Sequence, residues 1–560
     1  MDNKKIAKTF RQYAQLMELH GDNPFRTKAI AAAAFKLDKL PFVITSQTIS
    51  ELSEVPGIGQ RTAEKIATLL ATGSFPEWQM LLDSTPDGIL EMLTIKGLGP
   101  KKIKIIWHGL GIESIGELYY ACNENRLVEA KGFGLKTQLE IKQAIEFSMA
   151  NKGWFLYAHA EKLAESVRIS MQELLPPGRK IAFTGDFRRK CEVLQSLDVI
   201  AEASVDELAT AIAQIDTLFI EPGSSSLQAK NESGLTFRFF PTDTHSFSRQ
   251  LLATTGSEAH LRQLDALLMA SQLPDLDSEE AIYTALGLSY IQPELREGNN
   301  EVALAKNGRL PALISYADLR GALHNHSTYS DGVNTLEEMA RYCRDELRLE
   351  YLGICDHSRA AVYAKGLDIG RVQAQWVEID ALNENLAPFR IFKGIESDIL
   401  GDGSLDYPDE ILAGFDFVVA SVHANLKMDK ERATARLIKA IENPYTTILG
   451  HPTGRLLLSR AGYPVDYEPL IDACAANGVV IEINANPLRL DLDWRWHRYA
   501  IEKGVLLAIN PDAHRISGFH DMQYGVHIAR KGGLTPQHCL NTFSVDAIAG
   551  YFEQRKRRIG

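Results

Sequence analysis

Nine side chains of kinds that hold metal ions recur in order through the last 240 residues: His324, His326, Asp331, His357, Glu396, His423, His451, Asp512 and His514. The same stretch holds ten of the fifteen histidines. Several follow short apolar runs. Leu323 precedes the first pair, Tyr351-Leu-Gly-Ile-Cys355 precedes Asp356-His357, and Phe417-Val-Val-Ala420 precedes Ser421-Val-His423. Imidazoles and carboxylates delivered repeatedly at strand ends point into one crater, as in a barrel enzyme. A lone histidine so placed is most often structural; nine ligand-type residues in this order argue for a site.

The elements that must position them follow from the same pattern. Strand-like runs at 321–324, 350–355, 391–396, 416–422, 446–450, 478–483 and 505–510 alternate with helical periods, which predicts a closed or nearly closed barrel. Upstream, 181–184, 198–201, 217–220 and 235–240 read as strands, and 246–252 and 258–269 as helices. The polar, Pro- and Gly-punctuated stretch at 296–318 reads as a linker. Residues 1–150 read as short helices joined by glycine turns.

Within that helical region one small design occurs three times. The copies are Gly57-Ile-Gly59 followed by Arg61 and Lys65, Gly97-Leu-Gly99 followed by Lys102, and Gly132-Phe-Gly134 followed by Lys136. Paired glycines make a tight turn, and the next helix offers free backbone N–H groups at its N-terminus with lysines close by. That is a clamp for a phosphate backbone, and it reads no bases. The expected contacts are Gly57, Gly59, Lys65, Gly97, Gly99, Lys102, Gly132 and Gly134.

Composition sets outer bounds. An apolar fraction of 45% and a charged fraction of 24% are those of a globular protein. No apolar run reaches the roughly 18 residues of a membrane span. Six cysteines without a C-x-x-C pair fit free thiols in a reducing cytoplasm, and no secretory signal opens the chain. The net charge of −12 argues weakly against nucleic-acid binding, but the first 150 residues are close to neutral.

The three glycine segments resemble helix-hairpin-helix motifs. With Gly185-Asp-Phe-Arg188-Arg189 and Thr255-Gly-Ser-Glu-Ala-His260, residues 1–320 resemble the family X DNA polymerases. The last 240 residues resemble the polymerase-and-histidinol-phosphatase (PHP) domain, and this order resembles the bacterial family X architecture. The resemblance implies a multidomain α+β and α/β chain. It would comprise a helical N-terminal domain (1–82), a fingers-like hairpin domain (83–150), a palm-like mixed sheet (151–242), a thumb-like domain (243–295), the linker (296–318) and a (β/α)7 PHP barrel (319–560). It further implies that all nine residues are ligands to two or three divalent ions, with Glu396 bridging. Mixed imidazole and carboxylate ligation suits Mn2+, Zn2+ or Fe2+ better than Mg2+ or Ca2+. The chemistry implied is attack of activated water on phosphorus. Arg455 is the expected catalytic cation clamping the phosphate, and Asp356 a candidate acceptor orienting a ligand. Ala322 and Pro511 stand where the family has Asp and Ser.

The palm departs further. The family's polymerase site needs three aspartates for two Mg2+ ions. Here the Asp-x-Asp position reads Ser196-Leu-Asp198, and the third aligns with Thr236, so only Asp198 remains. Neutral hydroxyls do not replace anionic ligands around hard cations. The family's Gly-Ser turn is Gly185-Asp186. Nucleotide addition is therefore expected to be lost or weak, unless Glu192, Glu202 or Asp243 supplies ligands. Arg188 and Arg189 are read as DNA contacts or surface charges. The resemblance leaves open a lyase activity, in which an N-terminal lysine forms a Schiff base with an abasic sugar; Lys65 matches the family lysine in the helix after the first hairpin. Arg61 stands where another lysine is usual, and arginine cannot form that base.

The function expected is a DNA-binding, metal-dependent phosphoesterase of base repair. It would act as a 3′→5′ exonuclease, with abasic-site endonuclease or 3′-phosphatase activity, on gapped, nicked or 3′-end duplex. The protein is expected to be a cytoplasmic monomer without a membrane partner. The alternatives are a gap-filling polymerase edited by its PHP domain, and a small-molecule phosphatase of the histidinol-phosphate type.

Overall fold

Apolar residues at helical spacing build the first unit. In helix Asn3–Leu19, Ile6, Phe10, Tyr13 and Met17 face one core with Leu37, Ile58, Ala63, Ile66 and Leu69. This computed structural model describes residues 1–95, 97–128, 130–150, 153–220, 227–270 and 275–559, so Lys96 beside the second glycine pair lies outside the described residues. The chain divides into two units, Met1–Ile145 and Glu146–Gly560.

The three glycine turns are copies of one geometry. Gly57, Gly97 and Gly132 take φ of +93°, +92° and +92°, a region that favours glycine. The residue between each glycine pair donates its N–H three positions back: Ile58 to Val55 at 2.9 Å, Leu98 to Ile95 at 3.1 Å, Phe133 to Ala130 at 3.1 Å. Gly59 and Gly99 then cap helices Gln60–Thr72 and Pro100–Lys104, and Gly134 accepts from Gln138 at 2.9 Å in Leu135–Ala150. A Cβ at Gly59, Gly97, Gly99, Gly132 or Gly134 would meet nothing within 4 Å. The turns thus leave room for another backbone to approach.

The second unit opens with a two-stranded pair, β1 (Phe155–Leu156) and β3 (Val193–Leu194). A five-stranded sheet follows, made of β2 (Ile181–Thr184), β4 (Ser196–Glu202), β5 (Leu218–Ile220), β6 (Leu227–Asn231) and β7 (Thr236–Thr242) in the order β2-β4-β7-β6-β5. Strands β4 and β7 run parallel, setting Ser196 beside Thr236 and Asp198 beside Arg238. Strand β6 was not foreseen; Leu-Gln-Ala-Lys-Asn has few β-formers. The stretch read as a linker carries the helix Glu301–Lys306 and a fully buried Arg296, and is tied to the barrel through Arg530, which reaches Glu294 at 2.7 Å and the Ile314 carbonyl at 3.0 Å.

All seven runs expected for the barrel are strands: β8 (Gly321–Ala322), β9 (Tyr351–Ile354), β10 (Arg390–Asp398), β11 (Phe417–Ser421), β12 (Ile448–Leu449), β13 (Val480–Asn484) and β14 (Leu507–Asn510). They lie side by side in chain order, all parallel. Burial on both faces explains their continuous apolar runs. The intervening helices start on capping residues: Thr335 with Glu338 before Leu336–Asp345, Asp368 before Ile369–Leu386, Asp429 before Lys430–Ile441. The two edges approach each other just past the strands, where His326 N–H donates to the Ala513 carbonyl at 2.9 Å and Leu323 N–H to Asn510 Oδ1 at 3.3 Å. The barrel is nearly closed.

Candidate metal centre

Glu396, on β10, is the hub. Its Oε1 lies 3.0 Å from His451 Nε2, 3.2 Å from His423 Nε2 and 3.3 Å from His324 Nε2. Its Oε2 lies 2.9 Å from His357 Nδ1 and 3.6 Å from His326 Nε2. Asp512 Oδ1 approaches His326 Nε2 at 3.0 Å and His324 Nε2 at 3.7 Å. Asp331 stands 3.4 Å from His514 Nε2 and 3.6 Å from His357 Nε2. Three overlapping groups result, each with ligand atoms within 4.8 Å of one another: His326/Asp331/His357/His514, His324/His326/Asp512 and His357/Glu396/His423. His451 joins through Glu396, so the fold brings all nine residues together.

These residues suit divalent cations. His324 Nε2, His326 Nδ1, both nitrogens of His357, His451 Nδ1, Asp331 Oδ2 and Glu396 Oε2 are buried without a hydrogen-bond partner. Each such atom costs about 1–3 kcal/mol if left unsatisfied. Close N···O approaches that are not hydrogen bonds are what donors aimed at a shared ion look like.

A ring of carboxylates holds the ligands in place, and sequence reading missed most of it. Glu482, fully buried on β13, accepts from His324 Nδ1 at 2.7 Å, His451 N–H at 2.8 Å and Asn510 Nδ2 at 3.1 Å. That fixes the His324 tautomer and leaves Nε2 free for a metal. Asp398 does the same for His423, accepting from Nδ1 at 2.5 Å. The legible signals were a glutamate inside the apolar run Val480-Ile-Glu-Ile, and Asp398 two residues beyond Glu396 on the same strand face. Asp356 is a buried acceptor beside the turn after His326. It accepts from Ser327 N–H at 2.8 Å, Ser330 N–H at 3.1 Å and Gln375 Nε2 at 2.6 Å, and so shapes the turn that carries Asp331.

Burial and neighbouring charge set the protonation states. Burial opposes charging His423, but Glu396 and Asp398 outweigh it and raise its pKa to about 9. His324 and His357 are likewise raised against burial by nearby carboxylates. Burial, with His514 and His357 beside it, pushes His326 down to about 3. Burial works to raise Glu396, Asp331 and Asp512, but the imidazoles hold all three well below the usual carboxylate range. In the metal-free chain, the His423 contribution to stability is complete below 6.5 and is lost as pH rises through about 9. A metal needs the neutral imidazole, so ion and proton compete. Metal affinity should therefore climb with pH up to about 9, with proton release on loading near neutral pH. Calorimetry in two buffers of different ionisation enthalpy measures that release.

Other expected residues sit elsewhere. Arg455 does not stand over the ligands: it binds Asp493 at 2.6 Å, the Arg489 carbonyl at 2.8 Å and the Leu490 carbonyl, and so braces that loop. The guanidinium near the ligands is Arg489, 4% exposed, with Nε 3.9 Å from Asp512 Oδ2. In the palm, Arg238 grips Asp198 through two hydrogen bonds of 2.6 and 2.5 Å, so a cation entering there must first displace a guanidinium. Glu192 faces Arg495, Glu202 faces Thr244 and Arg179, and Asp243 accepts from the backbone N–H groups of His245 and Ser246. Arg188 pairs with Glu279 at 2.6 Å, and Arg189 with Glu297 at 3.0 Å and with Asp186, so neither is the surface charge or open DNA contact expected. Lys65 is paired with Glu77, whose pKa falls chiefly through that bond. Among the described residues no helix is long and apolar enough to cross a membrane.

Comparison with known proteins agrees with the two-part reading. Residues 1–75 match the helix-hairpin-helix domain family, and residues 89–146 match the SAM-like helix-hairpin-helix tandem family. The chain is similar to the DNA polymerase/3′-5′ exonuclease PolX of Bacillus subtilis, with 33% identity over 99% of this chain and 100% of that protein. The C-terminal region is similar to probable phosphatases. One from Thermoanaerobacter sp. is 32% identical over 32% of this chain and 76% of its own length; one from Acetivibrio thermocellus is 29% identical over 42% and 96%. With hairpins, mixed sheet and ligand-bearing barrel in the same order from end to end, the chain belongs to the bacterial family X DNA polymerases that carry a C-terminal PHP domain.

Proposed function

We propose that this protein is a metal-dependent DNA phosphoesterase of base repair. Its main activity would be 3′→5′ exonucleolytic, with abasic-site cleavage or 3′-phosphate removal at the same centre, and its polymerase activity lost or weak. The observation that carries this is the contrast between the two sites. The barrel gathers nine metal-ligand-type side chains, several with buried atoms that have no hydrogen-bond partner, whereas the palm-like sheet retains one carboxylate of the family's three, already bound by Arg238. Two or three ions of the Mn2+, Zn2+ or Fe2+ kind suit the barrel, held by His324, His326, Asp331, His357, Glu396, His423, His451, Asp512 and His514. When bound, they supply a water activated for attack on phosphorus. Glu482 and Asp398 hold the imidazoles in the binding tautomer, and Arg489 adds positive charge beside Asp512.

The open glycine turns would grip the backbone of gapped, nicked or 3′-end duplex, with the protein acting as a cytoplasmic monomer. Replacing Lys102 with alanine should weaken binding similarly for all sequences and lower the salt slope by about one, read by fluorescence anisotropy across a salt series.

The deciding assay offers 3′-recessed and gapped duplex to purified protein with Mn2+. Shortening should persist in Asp198→Ala and vanish in His324→Ala. Primer extension that disappears in Asp198→Ala would establish the gap-filling alternative instead. Rapid turnover of histidinol phosphate with no action on DNA would favour the small-molecule phosphatase.

A further inference from the structure

The candidate metal centre is buried, and His423 is its most exposed member. The His423 side chain is 11% exposed, against 6% or less for the other eight ligands. A phosphate approaching the centre would find its most exposed member in His423. Beside it stands Tyr363, its ring centroid 6.5 Å from His423 and 6.0 Å from His357. Tyr363 is 38% exposed and its neighbour Val362 is 81% exposed.

The loop carrying them is pinned at its base. Leu367 N–H donates to the His357 carbonyl at 2.9 Å, and Gly366 N–H to the Ala361 carbonyl at 3.0 Å. Arg359 holds Asp406 at 3.1 Å, and Arg371 holds the Lys365 carbonyl at 2.6 Å. A Cβ on Gly366 would fall 1.9 Å from the Ser358 carbonyl, so the loop closes tightly. An aromatic ring is thereby held at the rim of the centre and kept out of the core.

We infer that Tyr363 is a stacking platform for the base of the chain-terminal nucleotide whose phosphate occupies the metal centre. This rests on the phosphoesterase reading above, and it names the substrate class as nucleotidyl ends. In a nucleotide, base and phosphate are separated by one sugar. The rim ring and the buried ligands are separated by about the same reach. Every base offers a π-face, so stacking on an aromatic ring tolerates any sequence, as an exonuclease requires. A sugar phosphate without a base gains nothing from Tyr363.

The test is calorimetric titration of the manganese-loaded full chain with two ligands. They are 2′-deoxyadenosine 5′-monophosphate and 2-deoxyribose 5-phosphate, both as phosphonates that resist hydrolysis. The wild type and Tyr363→Phe should bind the nucleotide on the order of tenfold tighter than the sugar phosphate. Tyr363→Ala should bring the ratio near one, with sugar-phosphate affinity and bound manganese unchanged. An undiminished ratio in Tyr363→Ala, or equal binding of both ligands by the wild type, overturns the inference. This binding ratio is read independently of duplex shortening, so failure of the platform and failure of the phosphoesterase reading are separate results.

Discussion

Replacing Glu396 with alanine should strip the barrel of metal and cut phosphoester hydrolysis on the order of a thousandfold or more, the loss of several kcal/mol of transition-state stabilisation. No other side chain in the centre approaches five imidazoles at 2.9–3.6 Å. Without its charge, the buried imidazoles that surround it lose their shared counter-charge, and the carboxylate that would hold ions beside them is gone. Glu396→Gln separates charge from packing, because it preserves volume and removes the anion. It should be nearly as inactive as the alanine variant. Metal content by elemental analysis and steady-state rates on a 3′-recessed duplex read both effects, with Asp198→Ala as the comparison that leaves both unchanged.

Glu482→Gln should weaken metal binding about 10- to 100-fold, the usual consequence of losing the acceptor behind a ligating imidazole. Glu482 belongs to none of the three groups that could hold an ion. Its two oxygens hold His324 Nδ1 and the His451 backbone, and Asn510 shares the first. An amide in its place offers one acceptor and presents a donor where a donor already points. The His324 ring then loses its enforced tautomer, and a protein of unchanged fold binds ions poorly. Chelator competition gives the affinity directly. Rescue of hydrolysis by excess manganese separates this defect from that of Glu396→Ala, which added metal should not repair.

The sequence made the barrel legible because parallel strands buried on both faces are written as largely apolar runs, broken in β10 and β13 by the carboxylates that face the centre; all seven strands, from β8 to β14, fall on runs read in that way. The nine candidate metal-binding side chains could be picked out because few side chain types bind transition metals and these stood in order at the strand ends; the fold brings them together. The carboxylates behind them were not, since a glutamate on a strand looks the same in sequence whether it faces water or a buried histidine. Arginines were read least well. Arg455, Arg188 and Arg189 were given phosphates or solvent, but their partners are Asp493, Glu279 and Glu297. A long guanidinium takes whichever acceptor the tertiary fold brings near, and Glu279 lies 91 residues from Arg188. The glycine turns were readable because positive φ at Gly57, Gly97 and Gly132 leaves little choice of residue.

The seam where β8 meets β14 is built from the first and last ligand motifs, His324-Asn-His326 and Asp512-Ala-His514, which touch through the His326 amide and the Ala513 carbonyl at 2.9 Å. An ion held by His324, His326 and Asp512 would thus be a rivet through this joint in the strand ladder. Each ion bound at a hundred times its dissociation constant adds about 2.7 kcal/mol to the folded state, and here that increment falls on the closure between the beginning and end of the domain. Chelation should accordingly loosen the barrel from this joint outward, and bound ions would then serve as both reagent and fastener.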